Sequence, residues 1–377
     1  MRRGVLIAIA LFLVSPPATA AASSVGLTAT PTIAPYDSVV QFSGAVEPAT
    51  GGTPAGLYVQ TGDTWTLVAS GATNADGTFS FSARLRTPGT FLVRVDTTDS
   101  PPVSVALRPR LTAWLSGIRT IGGRLALVGR LVPANAGTLV ATIAGRQRTL
   151  RVRADGRFRT PLSTTGPPYY RAVVALRPAS GYVAVRRALT VRIRRPSLAL
   201  GSSGVAVRYL ERHLTQLHYA VDVVNGYYGA GTRDAVLAFQ KVHRMTRTGR
   251  VGRGFWRVFR WAHVPHPHIA RGNHIEVEKT RQVLFEVRSG RVTHVAHVST
   301  GATGNTPVGR WHIYLKARGF NSLGMFDSMY FLRGFAIHGY HSVPAYPASH
   351  GCVRTPIWFA PRIFSRWSVG ATVYVFS

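Results

Sequence analysis

The hydrophobic period of this chain changes after Pro196, and that change limits what it can fold into more than any other feature. From Val25 to about Arg195, apolar and polar residues alternate in short runs rich in Val, Thr and Phe, broken by Gly, Pro, Asp and Asn. A two-residue period puts alternate side chains on opposite faces of a strand, so this half reads as antiparallel sheet. Beyond Pro196, Val207, Leu210, Leu214 and Leu217 recur at helical steps, as do Ala235, Val236, Phe239 and Val242. Asn225-Gly226 and Gly229 mark the loop between these two runs, which read as a small helical unit. Val264-Pro265-His266-Pro267-His268 cannot form a helix or a central strand, so it is expected to be a solvated hinge. Strand alternation then returns at His274-Ile275-Glu276-Val277-Glu278, at Gln282 to Val287 after a turn at Lys279-Thr280-Arg281, and at Val292 to Ser299.

A chain of 377 residues exceeds one ordinary core, so about two to four domains are expected. Within the first half, Phe42-Ser43-Gly44 before Pro48 has a counterpart in Leu127-Val128-Gly129 before Pro133, an offset of 85 residues. Asp76-Gly77-Thr78-Phe79 matches Asp155-Gly156-Arg157-Phe158 at an offset of 79. These offsets suit two successive immunoglobulin-like sandwiches, each with an Asp-Gly turn leading into a strand and neither with a catalytic constellation. The expected divisions are an export signal over 1–22, sandwiches over 23–108 and 109–196, a helical domain over 197–262, a linker over 263–269 and a last domain over 270–377.

The export reading rests on Arg2 and Arg3, the apolar run from Gly4 to Val14, Pro16-Pro17 and Ala18-Thr19-Ala20. The run is shorter than the roughly 20 residues that span a bilayer, so no stable membrane anchor is expected after cleavage. The formal net charge of +31 comes almost wholly from Arg, with Lys only at 241, 279 and 316. Nucleic acid is set aside, because the basic residues are scattered without a basic helix or finger and the export signal removes the chain from the chromosome. Anionic wall polymers fit an exported cation better, although an arginine-rich codon bias explains the same composition.

An exported chain with a single cysteine has no intramolecular disulfide, so Cys352 is buried and inert, intermolecular, or reactive. Its neighbours decide. Ser299-Thr300-Gly301, Thr306-Pro307-Val308-Gly309-Arg310-Trp311, Phe335-Ala336-Ile337-His338-Gly339 and Ser349-His350-Gly351-Cys352-Val353-Arg354 follow one another in that order. Together these blocks resemble the L,D-transpeptidase (YkuD-type) catalytic domain over residues 270–377. Upstream, Leu200-Gly201-Ser202-Ser203-Gly204, Val207-Arg208-Tyr209-Leu210, Asn225-Gly226-Tyr227-Tyr228-Gly229, Thr232, Ala235-Val236 and Phe239-Gln240 resemble the type 1 peptidoglycan-binding domain. It departs from that pattern at Asn225, where Asp is usual, and at Arg212, where Gln is frequent. The architecture also resembles actinobacterial wall enzymes whose catalytic domain follows immunoglobulin-like domains. The implied fold class is multidomain: two all-β immunoglobulin-like sandwiches, a small α-helical peptidoglycan-binding domain and a mainly-β catalytic domain.

The resemblance implies a cysteine-dependent acyltransferase with Cys352 as nucleophile and His338 as general base, aligned through its other ring nitrogen to the carbonyl of Gly339. A thiol reacts as its anion, so an imidazole within reach is the chemical requirement. Gly351 and the amides around Cys352 are expected to hold the oxyanion, with His350 shaping that pocket, Ser349 fixing the turn and Arg354 meeting a stem-peptide carboxylate. Met329, Tyr330 and Phe331 read as core before groove, and His294, His297, His312 and His341 as histidines without a site. The implied reaction takes the carbonyl before the terminal D-Ala of a tetrapeptide stem, forms a thioester and makes a 3-3 peptidoglycan cross-link. It implies no cofactor or metal, acylation of Cys352 by carbapenems, and a monomer partnered with peptidoglycan stem peptides and glycan strands in the cell wall. Other acceptors would make the chain an L,D-carboxypeptidase or a protein-anchoring enzyme. A non-catalytic wall-binding protein and a zinc peptidase are the readings from other classes, the latter lacking metal-ligand spacing.

Overall fold

Strands dominate the protein: in the computed structural model, which describes residues 23–377, only four helices interrupt them. The export-signal reading falls on residues outside that range. By their contacts the described residues form two compact units. The first holds residues up to Trp114 with Val128–Arg159 and Ala172–Leu189, the second Leu115–Leu127, Thr160–Arg171 and Thr190–Ser377. No helix among the described residues is long and apolar enough to cross a membrane.

The alternation of the first half becomes alternating burial. In the Thr78–Leu85 strand, Phe79, Phe81, Ala83 and Leu85 turn inward, while the residues between them are more open to solvent. That strand pairs antiparallel with Ser38–Glu47. Val40 and Phe42 meet Leu57, Phe91 and Val93 of a second sheet in one apolar core, the Phe42 and Phe91 rings 4.8 Å apart. Seven further strands, from Arg110–Gly117 to Arg186–Arg192, form a second all-β segment.

The matched segments of the sequence have the same physical cause in both copies. Asp76 Oδ1 accepts from the Thr78 amide at 3.1 Å, and Asp155 Oδ1 from the Arg157 amide at 3.0 Å, each across a glycine with positive φ. The phenylalanine that follows each turn lies over the matched glycine. A Cβ on Gly44 would meet Phe79 Cζ at 2.6 Å, and one on Gly129 would meet Phe158 Cζ at 2.4 Å. Any larger residue there must displace the ring or the backbone opposite it.

In the helical segment, α1 (Val205–Gln216) buries Val207, Leu210 and Leu214, and α2 (Ala230–Val242) buries Ala235, Val236 and Phe239. A short α3 (Arg253–Phe259) follows, with Phe239, Phe255 and Phe259 in mutual contact. Buried Glu211 is held by the Gly226 amide at 2.8 Å and the Thr232 hydroxyl at 3.0 Å, which ties α1 to the intervening loop. Asn225 Oδ1 accepts from the Tyr227 amide at 2.8 Å, a turn contact that a carboxylate would make equally well.

The last segment has two sheets. One runs in the order Arg291–His297, Val283–Arg288, His274–Glu278, Thr372–Phe376, Gly309–His312; the other runs Leu315–Phe320, Phe326–Leu332, Phe335–Tyr340, Val353–Pro356. Ile275, Val277, Met329, Ile337, Val353 and Phe359 share the core between them, and α4 (Ala360–Arg366) adds Ile363 and Phe364. Met329 and Phe331 are therefore core, as expected. The end of the linker differs from the free hinge expected of it. The amides of His268 and Ile269 both donate to the buried carboxylate of Glu276, at 2.8 and 2.7 Å, and the His268 ring stacks 4.3 Å from Phe376. A carboxylate inside the sheet needs donors, and His268 and Ile269 supply them, so this end of the linker is held to the sheet while His266 stays exposed.

Candidate active site

His338 stands on a strand whose parallel neighbour begins one residue after Cys352. The Phe335–Tyr340 strand pairs in parallel with Val353–Pro356, with Ile337 opposite Val353 and His338 opposite Arg354. Ile337 and Val353 point into the core, so by alternation His338 and Arg354 share the other face, and Cys352 sits in the bend one residue before the second strand. Parallel pairing requires a crossover, and residues 341–352 provide it.

The His338 ring is 3 % exposed, and its Nδ1 donates to Gly339 O at 2.9 Å. A carbonyl only accepts, so the proton sits on Nδ1 and Nε2 is left as the basic nitrogen. Burial pushes the ring down to about 4, assisted by the Arg354 charge and opposed by the Gly339 bond. Burial also raises the Cys352 thiol above its ordinary value, against a hydrogen bond from Ala336 and the Arg354 charge. Both shifts favour the uncharged pair, a neutral thiol beside a neutral imidazole. The thiol donates weakly to Gly334 O, 3.6 Å away, and makes no hydrogen bond to the ring. Arg354 acts electrostatically on both groups while its guanidinium lies over the Tyr340 ring at 4.2 Å.

The turn before Cys352 is built by Ser349. Its hydroxyl accepts from the Gly351 amide at 3.0 Å and donates to Cys352 O at 2.5 Å. The Gly351 amide is thus engaged within the turn, whereas that of Cys352 has no turn or loop partner. Gly351 has a φ of +125°, and a Cβ there would lie 2.4 Å from the Phe335 ring, so only glycine fits. His350 is exposed beside it. A Cβ on Gly339 would meet Ala360 at 2.7 Å, so that glycine lets α4 close on the histidine strand.

Several residues without an assigned role in the sequence hold this turn from beneath. Thr306 Oγ1 donates to Gly351 O at 2.7 Å, and Asn305 Nδ2 donates to His350 O at 3.0 Å. The Ala348 and Ser349 amides both bond Thr300 O, while Ser299 and Arg354 exchange backbone bonds at 2.9 and 3.0 Å. The Ser299 and Thr300 side chains are also engaged: Ser299 Oγ donates to Tyr346 O at 2.7 Å in the crossover, and Thr300 Oγ1 accepts from Gln282 Nε2 at 2.6 Å.

The more distant support comes from α2. Lys241 is buried with its Nζ on Gln282 O and Val298 O, both at 2.9 Å, and on His297 Nδ1 at 2.5 Å. His297 Nε2 in turn donates to Val343 O at 2.8 Å, inside the crossover that carries Cys352. Arg247 donates to Ala345 O at 3.1 Å in the same crossover. Burial, with Arg247 nearby, pushes Lys241 down to about 6, and burial puts His297 well below its ordinary value. His297 is thus a buried support. One signal for Lys241 was present in the sequence: it is one of three lysines in a chain of arginines.

Comparison with known proteins agrees with this layout. Residues 272–375 match the L,D-transpeptidase catalytic domain (YkuD), and residues 203–259 match the peptidoglycan binding domain of type 1. An L,D-transpeptidase fragment from Xylanimonas cellulosilytica is 30 % identical, over 48 % of this chain and 98 % of that one, with a TM-score of 0.47. An L,D-transpeptidase from Mycobacterium smegmatis is 10 % identical, over 71 % of this chain and all of that one, with a TM-score of 0.25. No curated protein matches. Residues 272–375, which include His338 and Cys352, therefore form a YkuD-type L,D-transpeptidase catalytic domain, with the peptidoglycan-binding match directly before it.

Proposed function

We propose that this protein is an exported wall enzyme that forms 3-3 cross-links through a thioester on Cys352. The reading is supported by one arrangement: Cys352 directly precedes the strand that pairs in parallel with the His338 strand, and the His338 ring keeps its proton on Nδ1. The thiol rotates from Gly334 O toward Nε2, and its proton passes to the ring as sulfur attacks the carbonyl before the terminal D-Ala. Because both groups rest uncharged, transfer and attack occur together. The Cys352 amide faces the oxyanion, and His338 returns the proton to the departing D-Ala amine. The acceptor amine then attacks the thioester and gives a proton to His338, which passes it to the departing sulfur and restores the thiol. Peptidoglycan is the partner on this reading, with the helical domain holding the wall and Arg354 meeting a stem carboxylate. No step calls for a metal, and carbapenems would acylate the same sulfur.

The test is incubation with disaccharide-tetrapeptide, with D-Ala release and product mass followed by mass spectrometry. Dimers of the 3-3 mass and loss of at least about a thousandfold in Cys352→Ala are expected. Release without dimers would make the protein a carboxypeptidase, and a product that appears only with a protein amine would make it an anchoring enzyme. Unchanged release in Cys352→Ala would defeat the assignment.

A further inference from the structure

A cleft of about 900 Å³ lies far along the chain from the catalytic blocks, where Tyr169 and Arg195 face α3 and the residues after it. Four arginines line it, Arg195, Arg253, Arg257 and Arg260, together with Tyr169 and Trp261, and no carboxylate does. The two aromatic rings are unusually open for their size, at 71 % and 67 % exposure. Among the described residues none of the four guanidinium groups forms an ion pair. The walls are tied together, since buried Trp256 donates its Nε1 to Pro196 O at 2.8 Å and Arg195 donates to Gly166 O at 2.6 Å.

Arg195 shows that this arrangement has a cost. Its Nε is buried without a partner, and its positive charge is opposed first by burial and then by Arg260. Like charges gathered without a counter-ion are destabilising unless an anion is met there. Arg260 lies 4.5 Å from the centre of the Trp261 ring, which holds both groups at the mouth of the cleft. Guanidinium groups match the fork of sulfate, phosphate or carboxylate oxygens, and flat exposed aromatic rings stack on the apolar faces of sugar rings. A nucleic acid or an acidic peptide would satisfy only the charge or use the rings differently.

We propose that this cleft binds an anionic polysaccharide, with Arg195, Arg257 and Arg260 on the acidic groups and Tyr169 and Trp261 on the sugar rings. The site would hold a negatively charged wall polymer apart from the stem peptides used in catalysis. It draws on the preceding reading only for the wall setting, and binding is measured separately from D-Ala release.

The experiment is titration calorimetry of the full chain with dextran sulfate, with uncharged dextran and with polyphosphate, which has charge but no sugar. Because a chain of net charge +31 attracts any polyanion, equal charge must be removed elsewhere as the comparison. Replacing Arg195, Arg257 and Arg260 by Gln should weaken dextran sulfate about tenfold more than replacing exposed Arg124, Arg146 and Arg151 by Gln. Trp261→Ala, on an exposed residue whose loss leaves the core intact, should weaken dextran sulfate and leave polyphosphate unchanged. Equal losses in the two triple variants, or a Trp261→Ala protein that binds dextran sulfate as before, would overturn the proposal. Tighter binding of polyphosphate or a nucleic acid than of dextran sulfate would do the same.

Discussion

At the scale of single residues, the reactivity of Cys352 depends on which charge state it rests in. A thiolate paired with imidazolium would alkylate at a rate independent of pH over the range in which the pair survives. Here the thiol is raised and His338 is lowered to about 4, so the resting pair is neutral across the physiological range. Alkylation by iodoacetamide should therefore climb about tenfold per pH unit from about pH 6 to about pH 8, without a plateau. A flat profile in that window would show a charged pair and would replace the concerted step with attack by a preformed thiolate. The choice of these two residues as candidates came from the sequence, because the only cysteine sits in a four-block pattern. Their charge state was not, since it follows from burial by strands distant in sequence.

At the scale of elements, the two strand-turn copies were legible for a simple reason. An Asp-Gly turn and a glycine beneath a phenylalanine are local requirements, and local requirements leave a mark at fixed spacing. The helix-to-loop link through Lys241 left no such mark. A lysine on α2 reads as a solvated face, and nothing near it in sequence announces Gln282, His297 or Val298 as its partners. The hold on His268 and Ile269 left no mark for the same reason, because their partner Glu276 is a strand residue that alternation alone cannot place inside or outside. Lys241 has a measurable consequence. In the unfolded chain it holds its proton to about pH 10.5, whereas in the fold it releases it near 6. Between those values the unfolded state binds the extra proton, so its contribution to stability grows as pH rises and is lost on acidification toward 6. The difference in unfolding free energy between wild type and Lys241→Met should therefore shift toward the wild type between about pH 6 and about pH 9, by on the order of a few kcal/mol. Denaturant melts that keep a constant gap across that range would show that the amine is not buried as described. Catalysis offers a second readout, since loss of the Lys241–His297–Val343 chain should lower kcat more than it raises KM.

At the scale of the molecule, the helical and catalytic segments behave as parts of one unit. The Ala220 amide donates to Val295 O, and the Val295 amide donates to His218 O, which extends the edge of a catalytic sheet with chain from the helical segment. Trp358 Nε1 reaches Asp234 at 3.0 Å, and Arg362 spans Val221 O, Asp222 O and the Asp222 carboxylate. Burial raises Asp234 to about 6 and leaves the Trp358 bond as its main support. Removing the helical segment would expose Ala220's apolar contacts and strip Val298 O of its buried donor, at roughly 1–3 kcal/mol for a buried group left unpaired, whereas Gln282 O keeps the Val298 amide at 3.2 Å. Small domains have only about 5–15 kcal/mol in total, so losses of this kind are a sizeable share of it. A fragment of residues 270–377 should accordingly melt far below a fragment of residues 197–377, by more than about 10 °C, and should give a poorly dispersed amide spectrum. The longer fragment should match the full chain both in its melt and in D-Ala release. If the shorter fragment instead folds with the same melting point and the same turnover, the contacts from α2 are passive packing and the crossover before Cys352 needs no support from outside its own sheets.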